Sequence, residues 1–199
     1  MLLFGSQLIG TPIMGLQTGT KLAQTSSPLI DPADLKIVAY VVEGPLLSER
    51  PSLIRIEDVR EFGEIGMIID SSDEFIGLED VIKIKELYDI GFTLIGTTVI
   101  EEKGRKLGKI DDYSVDPDSF VIQQLSVKQS IMKSLTDTSL LIHRSQIVEI
   151  NDKHIIVRTT AKRPEPVTDI EKREFINPFR SIAPQTENAM SSVDRLEQL

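Results

Sequence analysis

Short apolar runs separated by turn residues dominate the second part of the chain. The β-branched run 97–100, the long segment 106–115 and the run 120–127 are each typical of a strand. The last of these alternates apolar and polar positions in its second half, as a sheet with one wet face requires. Residues 147–150 and 154–158 flank a polar turn and predict a closing hairpin. The pattern therefore predicts roughly five or six short antiparallel strands, which suit a small barrel.

The first part of the chain repeats the second. Four segments return: 8–11 as 94–97, 19–22 as 104–107, 31–32 as 116–117 and 67–69 as 155–157. The offset is 86 residues at the first match, 85 at the next two and 88 at the last. Solenoid repeats recur at shorter periods, so the repeat favours two small domains that each close their own core. We interpret it as a tandem duplication.

This organisation gives four segments. Residues 1–77 form the first barrel-like repeat, 78–91 a connector, 92–163 the second repeat and 164–199 a flexible tail. The predicted fold class is mainly β, with two tandem small antiparallel β-barrels joined by a short connector and followed by a disordered C-terminal tail. A domain of this size buries only about 60% of its unfolded surface, so each barrel needs a dense aliphatic core.

The connector and the tail carry different patterns. Apolar residues of the connector favour a short amphipathic helix that ends at Gly91, although its β-branched content leaves a strand open. The tail is rich in proline and polar residues, which predicts disorder. Residues 168–175 contain a capping-box pattern. Docking to a partner and a plain solvated terminus both stay open for this tail.

Composition narrows the classes of function. Aromatic residues make up 5% of the chain and tryptophan is absent, which disfavours a stacking platform for bases or sugars. Cysteine is absent, which removes thiolate chemistry and fits a reducing cytoplasm. The apolar start 1–4 lacks a preceding basic residue, and no apolar run is long enough to span a bilayer. The sequence thus predicts a soluble, cytoplasmic protein with no transmembrane segment.

The hairpin 104–112, with Gly104, Gly108 and Asp112, follows the apolar pair and glycine of 94–96 and precedes the strand at 120–127. In these residues the chain resembles the PRC-barrel family. Ala23 and Ser26-Ser27 replace the second glycine and the aspartates in the first repeat, so its hairpin is a degenerate copy. The resemblance covers residues 8–163.

The PRC-barrel family includes the cytoplasmic barrel of the photosynthetic reaction-centre H subunit and the C-terminal barrel of the small-subunit ribosome maturation factor. What the resemblance implies is a barrel that binds other macromolecules and has no catalytic role. Because fold does not fix function, neither partner transfers directly to this chain. The chain is expected to be a stand-alone tandem member, without the membrane helix of the H subunit.

Three groups of residues resemble chemical sites without requiring one. His143 and His154 have no cysteine partners and are interpreted as ordinary strand or turn residues. The aspartates of 111–118 lack the spacing of a calcium loop and are explained by turns. Gly104 and Gly108 suit a hairpin better than a phosphate loop. No cofactor, metal or catalytic residue is therefore expected, and no feature supports an enzyme.

Charge differs between the repeats. Residues 8–77 contain 5 basic and 11 acidic residues, a net charge of −6, whereas 94–163 contain 11 and 9, a net charge of +2. Four cations cluster on one hairpin of the second repeat: Lys103, Arg105, Lys106 and Lys109. Strand alternation predicts that Arg105 and Lys109 share a face. A solvated hairpin and a contact with RNA phosphates or an acidic protein surface both fit this cluster.

The leading hypothesis is a non-enzymatic adaptor that binds a protein or ribonucleoprotein partner, in RNA processing or near the ribosome. The overall charge of −9 argues against bulk nucleic-acid binding, so DNA is not expected and any RNA contact is local. The alternative is a small-molecule or membrane-associated sensor or scaffold with a ligand between the barrels. The sequence leaves a homodimer through sheet edges open.

Overall fold

The computed structural model describes residues 1–45, 47–129, 139–151 and 153–158, which are mainly β with one α-helix, α1, at Ile82–Ile90. The first sheet contains β2 Pro12–Gly15, β3 Thr20–Asp31, β4 Lys36–Glu43, β5 Ser52–Arg55, β6 Glu61–Gly63, β7 Gly66–Ile69 and β8 Ile76–Gly77. The second contains β1 Leu3–Phe4, β9 Thr98–Glu101, β10 Lys106–Val115, β11 Ile122–Lys128, β12 Ser139–His143, β13 Ile147–Ile150 and β14 His154–Val157. The expected disordered tail lies outside the described residues.

Six strands of each sheet follow one plan. The order is β6-β7-β2-β3-β4-β5 in the first sheet and β13-β14-β9-β10-β11-β12 in the second. Strand β9 begins 86 residues after β2, and β14 begins 88 residues after β7. These shifts equal the offsets of the sequence repeat. The duplication is therefore one of topology as well as of sequence.

The expectation of purely antiparallel sheets is wrong, because each sheet contains one parallel pair. Strand β2 runs parallel to β7, and β9 runs parallel to β14. One-turn 3₁₀ helices at Ile56–Asp58 and Arg144–Gln146 join β5 to β6 and β12 to β13. The chain keeps its direction through each of these helices and then reverses in one hairpin. As a result, β7 runs in the same direction as β2, and β14 runs in the same direction as β9. Both sheets are therefore mixed.

Bulges occur at equivalent places in the two sheets. Leu22 and Leu107 are the extra residues where β3 and β10 pair with their preceding strands. Ser26 and Asp111 are the extra residues where β3 and β10 pair with their following strands. A bulge bends the strand that carries it and increases the local twist. The two longest hairpins are thus bent in the same way, which lets each sheet curve over its apolar face.

The two sheets share one apolar core, contrary to the expectation of separate interiors. A single cluster of buried residues includes Ile13, Ile37 and Met67 of the first sheet together with Val99 and Ile122 of the second. All five are fully buried. A sheet of about 70 residues buries little surface alone, so pooling two apolar faces gives each half more burial than it could reach separately.

The halves join through the turns that follow β3 and β10. The Ile37 amide donates to the Phe120 carbonyl at 2.9 Å, and the Ile122 amide donates to the Leu35 carbonyl at 2.8 Å. Leu35 and Phe120 are buried and adopt positive φ values of 49° and 55°. Because these positions are equivalent in the repeat, the junction is approximately two-fold symmetric. Phe120 belongs to this turn, so β11 starts two residues later than the apolar run predicts.

Helix α1 lies in the segment whose spacing favoured a helix. Its Ile84 and Leu87 pack on Leu29 and Leu53 of the first sheet in a second, smaller apolar cluster. Gly91 ends the helix in the left-handed conformation, with φ of 63°. The connector is therefore attached to the first sheet along its buried side.

Candidate functional site: a cationic row on the second sheet

The β9–β10 hairpin presents the cations that the sequence singled out. The Gly104 amide donates to the Glu101 carbonyl at 2.7 Å, and the Glu101 amide donates to the Arg105 carbonyl at 2.8 Å. Gly104 has φ of 83°, which the turn requires and which glycine adopts without strain. Lys103 and Arg105 are exposed beside it. The tip is thus a tight turn whose backbone bonds are internal.

Acidic residues neutralise part of this tip. Arg105 Nε lies 3.0 Å from Glu101 Oε2, and Arg158 Nη2 lies 3.1 Å from Glu102 Oε1. The Arg158 guanidinium holds the pKa of Glu102 below its usual value, and the pKa of Arg158 is raised by the same hydrogen bond. The tip is therefore a mixed-charge surface. The cationic character of the hairpin lies farther along β10.

A bulge decides which lysines of β10 face solvent. Lys106 pairs with Ile100 and Gly108 pairs with Val99, so Leu107 is the extra residue. Leu107 and Gly108 are both buried, whereas Lys106 and Lys109 are both exposed. A regular strand would place residues three apart on opposite faces. The simple alternation that related Arg105 to Lys109 is interrupted at this point.

Lys109 belongs to a row of polar residues that crosses the second sheet. It pairs with Thr98 on β9 and with Lys128 on β11. Thr98 pairs in turn with His154, and Lys128 pairs with Ser139. Residues directly opposite each other in a ladder share a face, so these side chains form one line across five strands. We call the three central positions, Thr98, Lys109 and Lys128, the lysine row.

The first sheet has different residues in the equivalent row. Pro12 pairs with Gln24, and Gln24 pairs with Glu43. The Glu43 carboxylate accepts a hydrogen bond from Ser26 Oγ at 2.9 Å. Two lysines of the second sheet thus correspond to a glutamine and a glutamate in the first. The backbone plan is the same, but the formal charge of the row changes from −1 to +2.

Lys128 was not among the residues that the sequence singled out. It lies 19 residues beyond Lys109, and only the register of β10 on β11 brings the two together. The repeat relates Lys109 to Gln24 and Lys128 to Glu43, but this equivalence does not by itself predict that the two residues of a pair are neighbours. Sequence reasoning weighted proximity along the chain and so found the hairpin cations alone.

Structural partners account for three of the other residues that the sequence considered, namely His143, His154 and Asp116. His143 Nδ1 lies 2.8 Å from Ser145 Oγ, and His154 Nε2 lies 3.2 Å from Asn151 Nδ2. Ser119 Oγ donates to Asp116 Oδ2 at 2.5 Å within the β10–β11 turn. Among the residues that the structure describes, no three His, Asp or Glu side chains are grouped to hold a metal ion.

A pocket of about 380 Å³ lies between the two halves. Residues 5–9 and 92–95 form two of its sides, and β3 and β10 form the others. Ser6 Oγ donates to Asp112 Oδ2 at 2.6 Å and attaches the N-terminal segment to β10. The sequence predicted two separate cores and therefore gave no lining residues for a cavity at this place.

Residues 91–164 match the family model of the PRC-barrel domain. The match covers β9 to β14, so the resemblance expected from the hairpin and the following strand is confirmed for the second half. No curated protein matches the chain. Within residues 1–158, as far as they are described, no helix has the length and apolar character needed to cross a bilayer.

Proposed function

We propose that this chain, whose residues 91–164 match the PRC-barrel domain, is a non-catalytic interaction protein that binds a negatively charged surface of a protein or ribonucleoprotein partner in the cytoplasm. We also infer that the first sheet is a second, diverged barrel of the same kind. The observation that carries the proposal is the lysine row together with its neutral and acidic counterpart in the first sheet.

Electrostatics supports a local contact. Two lysines in register place two positive charges side by side on the solvent-exposed face of the second sheet. A row of phosphates or carboxylates on a partner would complement those charges and release counterions. Since the whole chain carries −9, attraction has to come from this surface and falls with distance over about 8–10 Å at physiological salt. The partner is therefore recognised at one place on the second sheet.

The experiment compares the second row with the first. Lys109→Gln and Lys128→Glu together give the second sheet the residues of Gln24 and Glu43. Binding of a labelled single-stranded RNA and of a labelled poly-glutamate peptide is measured by fluorescence anisotropy at low and moderate salt. We expect the double variant to bind the preferred probe at least about tenfold more weakly, with a shallower salt dependence.

Lys21→Gln is the matched control, because Lys21 occupies the position in the first sheet that Lys106 occupies in the second. It should leave the affinity unchanged. Equal losses in the control and in the double variant would contradict the proposal, as would binding that does not depend on salt. Affinity purification from the native host with the wild-type protein and the double variant then identifies the partner as the component lost from the variant.

The pocket between the halves favours a second candidate, a small-molecule sensor. Its volume falls in the range of ordinary ligand sites, and residues from both repeats line it. A ligand that binds only the folded chain must raise the melting temperature. A thermal-shift screen tests this candidate independently of the lysine row, because the row residues do not line the pocket.

A further inference from the structure

Equivalent residues of the two halves line the pocket between them. Three pairs of its lining residues are equivalent in the repeat: Ile9 with Ile95, Pro28 with Tyr113, and Ser27 with Asp112. The segments before β2 and β9 both contribute to its lining. The cavity is thus a product of the duplication, since neither repeat alone supplies all of its walls.

The walls of this pocket are largely apolar. Ile30 and Tyr113 line it and are buried, with 2% and 3% of their surfaces exposed. Ile9 and Ile95 also line it and are 45% and 52% exposed. Phe92, which is half-buried, adds an aromatic ring. An apolar cavity with solvent-exposed isoleucines in its lining favours an occupant with an apolar body.

Charge breaks the symmetry of the pocket. Asp111 and Asp112 line one side, whereas their counterparts in the first repeat are Ser26 and Ser27. No described residue that lines the pocket is basic. Asp112 accepts hydrogen bonds from Ser6 and from the Tyr113 amide, so it is held in place. Asp111 is the exposed extra residue of the bulge, which turns its position away from the regular ladder.

We propose that this pocket binds a small organic cation, such as a primary amine with an apolar body. The apolar body contacts Ile9, Ile95 and Phe92, and the ammonium group lies near the Asp111 carboxylate. An aromatic ring also attracts a cation positioned over its face. Carboxylates at the wall repel fatty acids and phosphates, so anionic ligands are excluded. This inference rests on the second candidate function and names its ligand class.

Three probes of similar shape test the charge preference by isothermal titration calorimetry on the full chain. They are 2-phenylethylamine, which is a cation at neutral pH, the neutral 2-phenylethanol and the anion 3-phenylpropanoate. We expect the amine to bind at least about tenfold more tightly than the alcohol, and the acid to bind least. If none of the three binds, the inferred ligand class is wrong, whereas the second candidate function itself fails only if the thermal-shift screen finds no stabilising ligand. If the alcohol or the acid binds as well as the amine, the pocket is a ligand site but the inference of a cation is wrong.

Two pairs of variants locate the site. Asp111→Ser installs the residue found at the equivalent position of the first repeat and should weaken amine binding about tenfold while leaving the alcohol unaffected. Asp118→Ser is its control, because Asp118 is exposed outside this pocket. Ile95→Ser should weaken both probes, whereas Ile82→Ser, at a 77% exposed position of α1, should weaken neither. Equal effects in a variant and its control would overturn the assignment, and melting temperatures check that every variant is folded.

Discussion

The two sheets of this protein share a backbone plan and differ in what they present to solvent. Their strands follow the same order, their bulges fall at equivalent residues, and the turns after β3 and β10 both contain a buried residue with positive φ. The outward-facing rows differ, with Pro12–Gln24–Glu43 in the first sheet and Thr98–Lys109–Lys128 in the second. Buried positions are constrained by packing, whereas the outward-facing rows are less constrained, so the two sheets can differ there without a change of fold.

The largest effect is expected at the junction of the halves. Phe120→Ala removes a buried ring that packs edge to face on Phe62, with centroids 5.9 Å apart. We expect a loss of about 3–5 kcal/mol in the free energy of unfolding, measured with denaturant. Leu35→Ala tests the equivalent position and should cost about 2–5 kcal/mol. Because the core is continuous, both variants should unfold in one transition.

Leu16→Ala is the control for these substitutions, because Leu16 is 63% exposed. It should change the free energy of unfolding by no more than about 0.5 kcal/mol. Two separate unfolding transitions, with only one of them shifted by each variant, would show that the halves have independent cores.

A second comparison concerns Gly66 and its counterpart His154. Gly66 has φ of 115°, and a Cβ there would meet the Pro12 carbonyl oxygen. Gly66→Ala should therefore cost about 2 kcal/mol or more, measured by urea denaturation. His154→Ala should cost less than about 1 kcal/mol, because the longer β13–β14 loop accommodates a side chain at this position. Similar losses at both sites would contradict this account of the two hairpins.

The charge difference between the rows can be reversed. Gln24→Lys together with Glu43→Lys places the lysine row in the first sheet. If strand register alone is enough to create a polyanion-binding surface, the variant should gain a second binding site on the first sheet. Its total affinity for the probe should then rise about tenfold in anisotropy titrations at low salt. Lys21 lies on the same strand as Gln24 but outside the row. Adding Lys21→Gln to the Gln24→Lys and Glu43→Lys variant lowers the net charge while leaving the row intact, which separates the effect of the row from that of net charge. No gain would show that the second sheet needs more than the row.

A smaller effect is expected at Tyr40, whose counterpart in the second sheet is Leu125. The Tyr40 hydroxyl is buried and has no hydrogen-bond partner among the described residues. Its burial raises the pKa of Tyr40 far above the usual value. Tyr40→Phe should raise the free energy of unfolding by about 1 kcal/mol, because the unpaired hydroxyl costs free energy in the core. Tyr88→Phe, at an exposed position, should have no measurable effect.

The smallest effect concerns pH. The pKa of Glu102 is lowered by Arg158, and that of Asp70 is lowered by its ion pair with Arg60. A lowered pKa in the folded state stabilises the protein above the ordinary carboxyl pKa, and this contribution disappears as pH falls through the folded value. Glu102→Gln and Asp70→Asn should each reduce the loss of stability on acidification. Denaturant titrations between pH about 3 and about 7 measure it, and an unchanged pH slope in both variants would contradict the ion pairs.

Several features of the fold followed from residues alone. The strand Lys106–Val115 was predicted at its observed bounds because its flanks are a glycine turn and an Asp-Pro turn. Apolar spacing and Gly91 favoured the helix at Ile82–Ile90, whereas the β-branched residues had left a strand open. In the candidate site, Lys106 and Lys109 were found because they are close in sequence. Lys128 was missed because its place depends on strand register.

The sequence by itself determined the repeat, the strand content and the turn positions, since these depend on local spacing, glycine and proline. Tertiary structure decided the parallel pairing of β9 with β14, the single shared core, the lysine row and the pocket between the halves. Each of these joins residues that are distant along the chain. Local patterns fix which face of a strand is apolar, but not which other face covers it or which strand lies beside it.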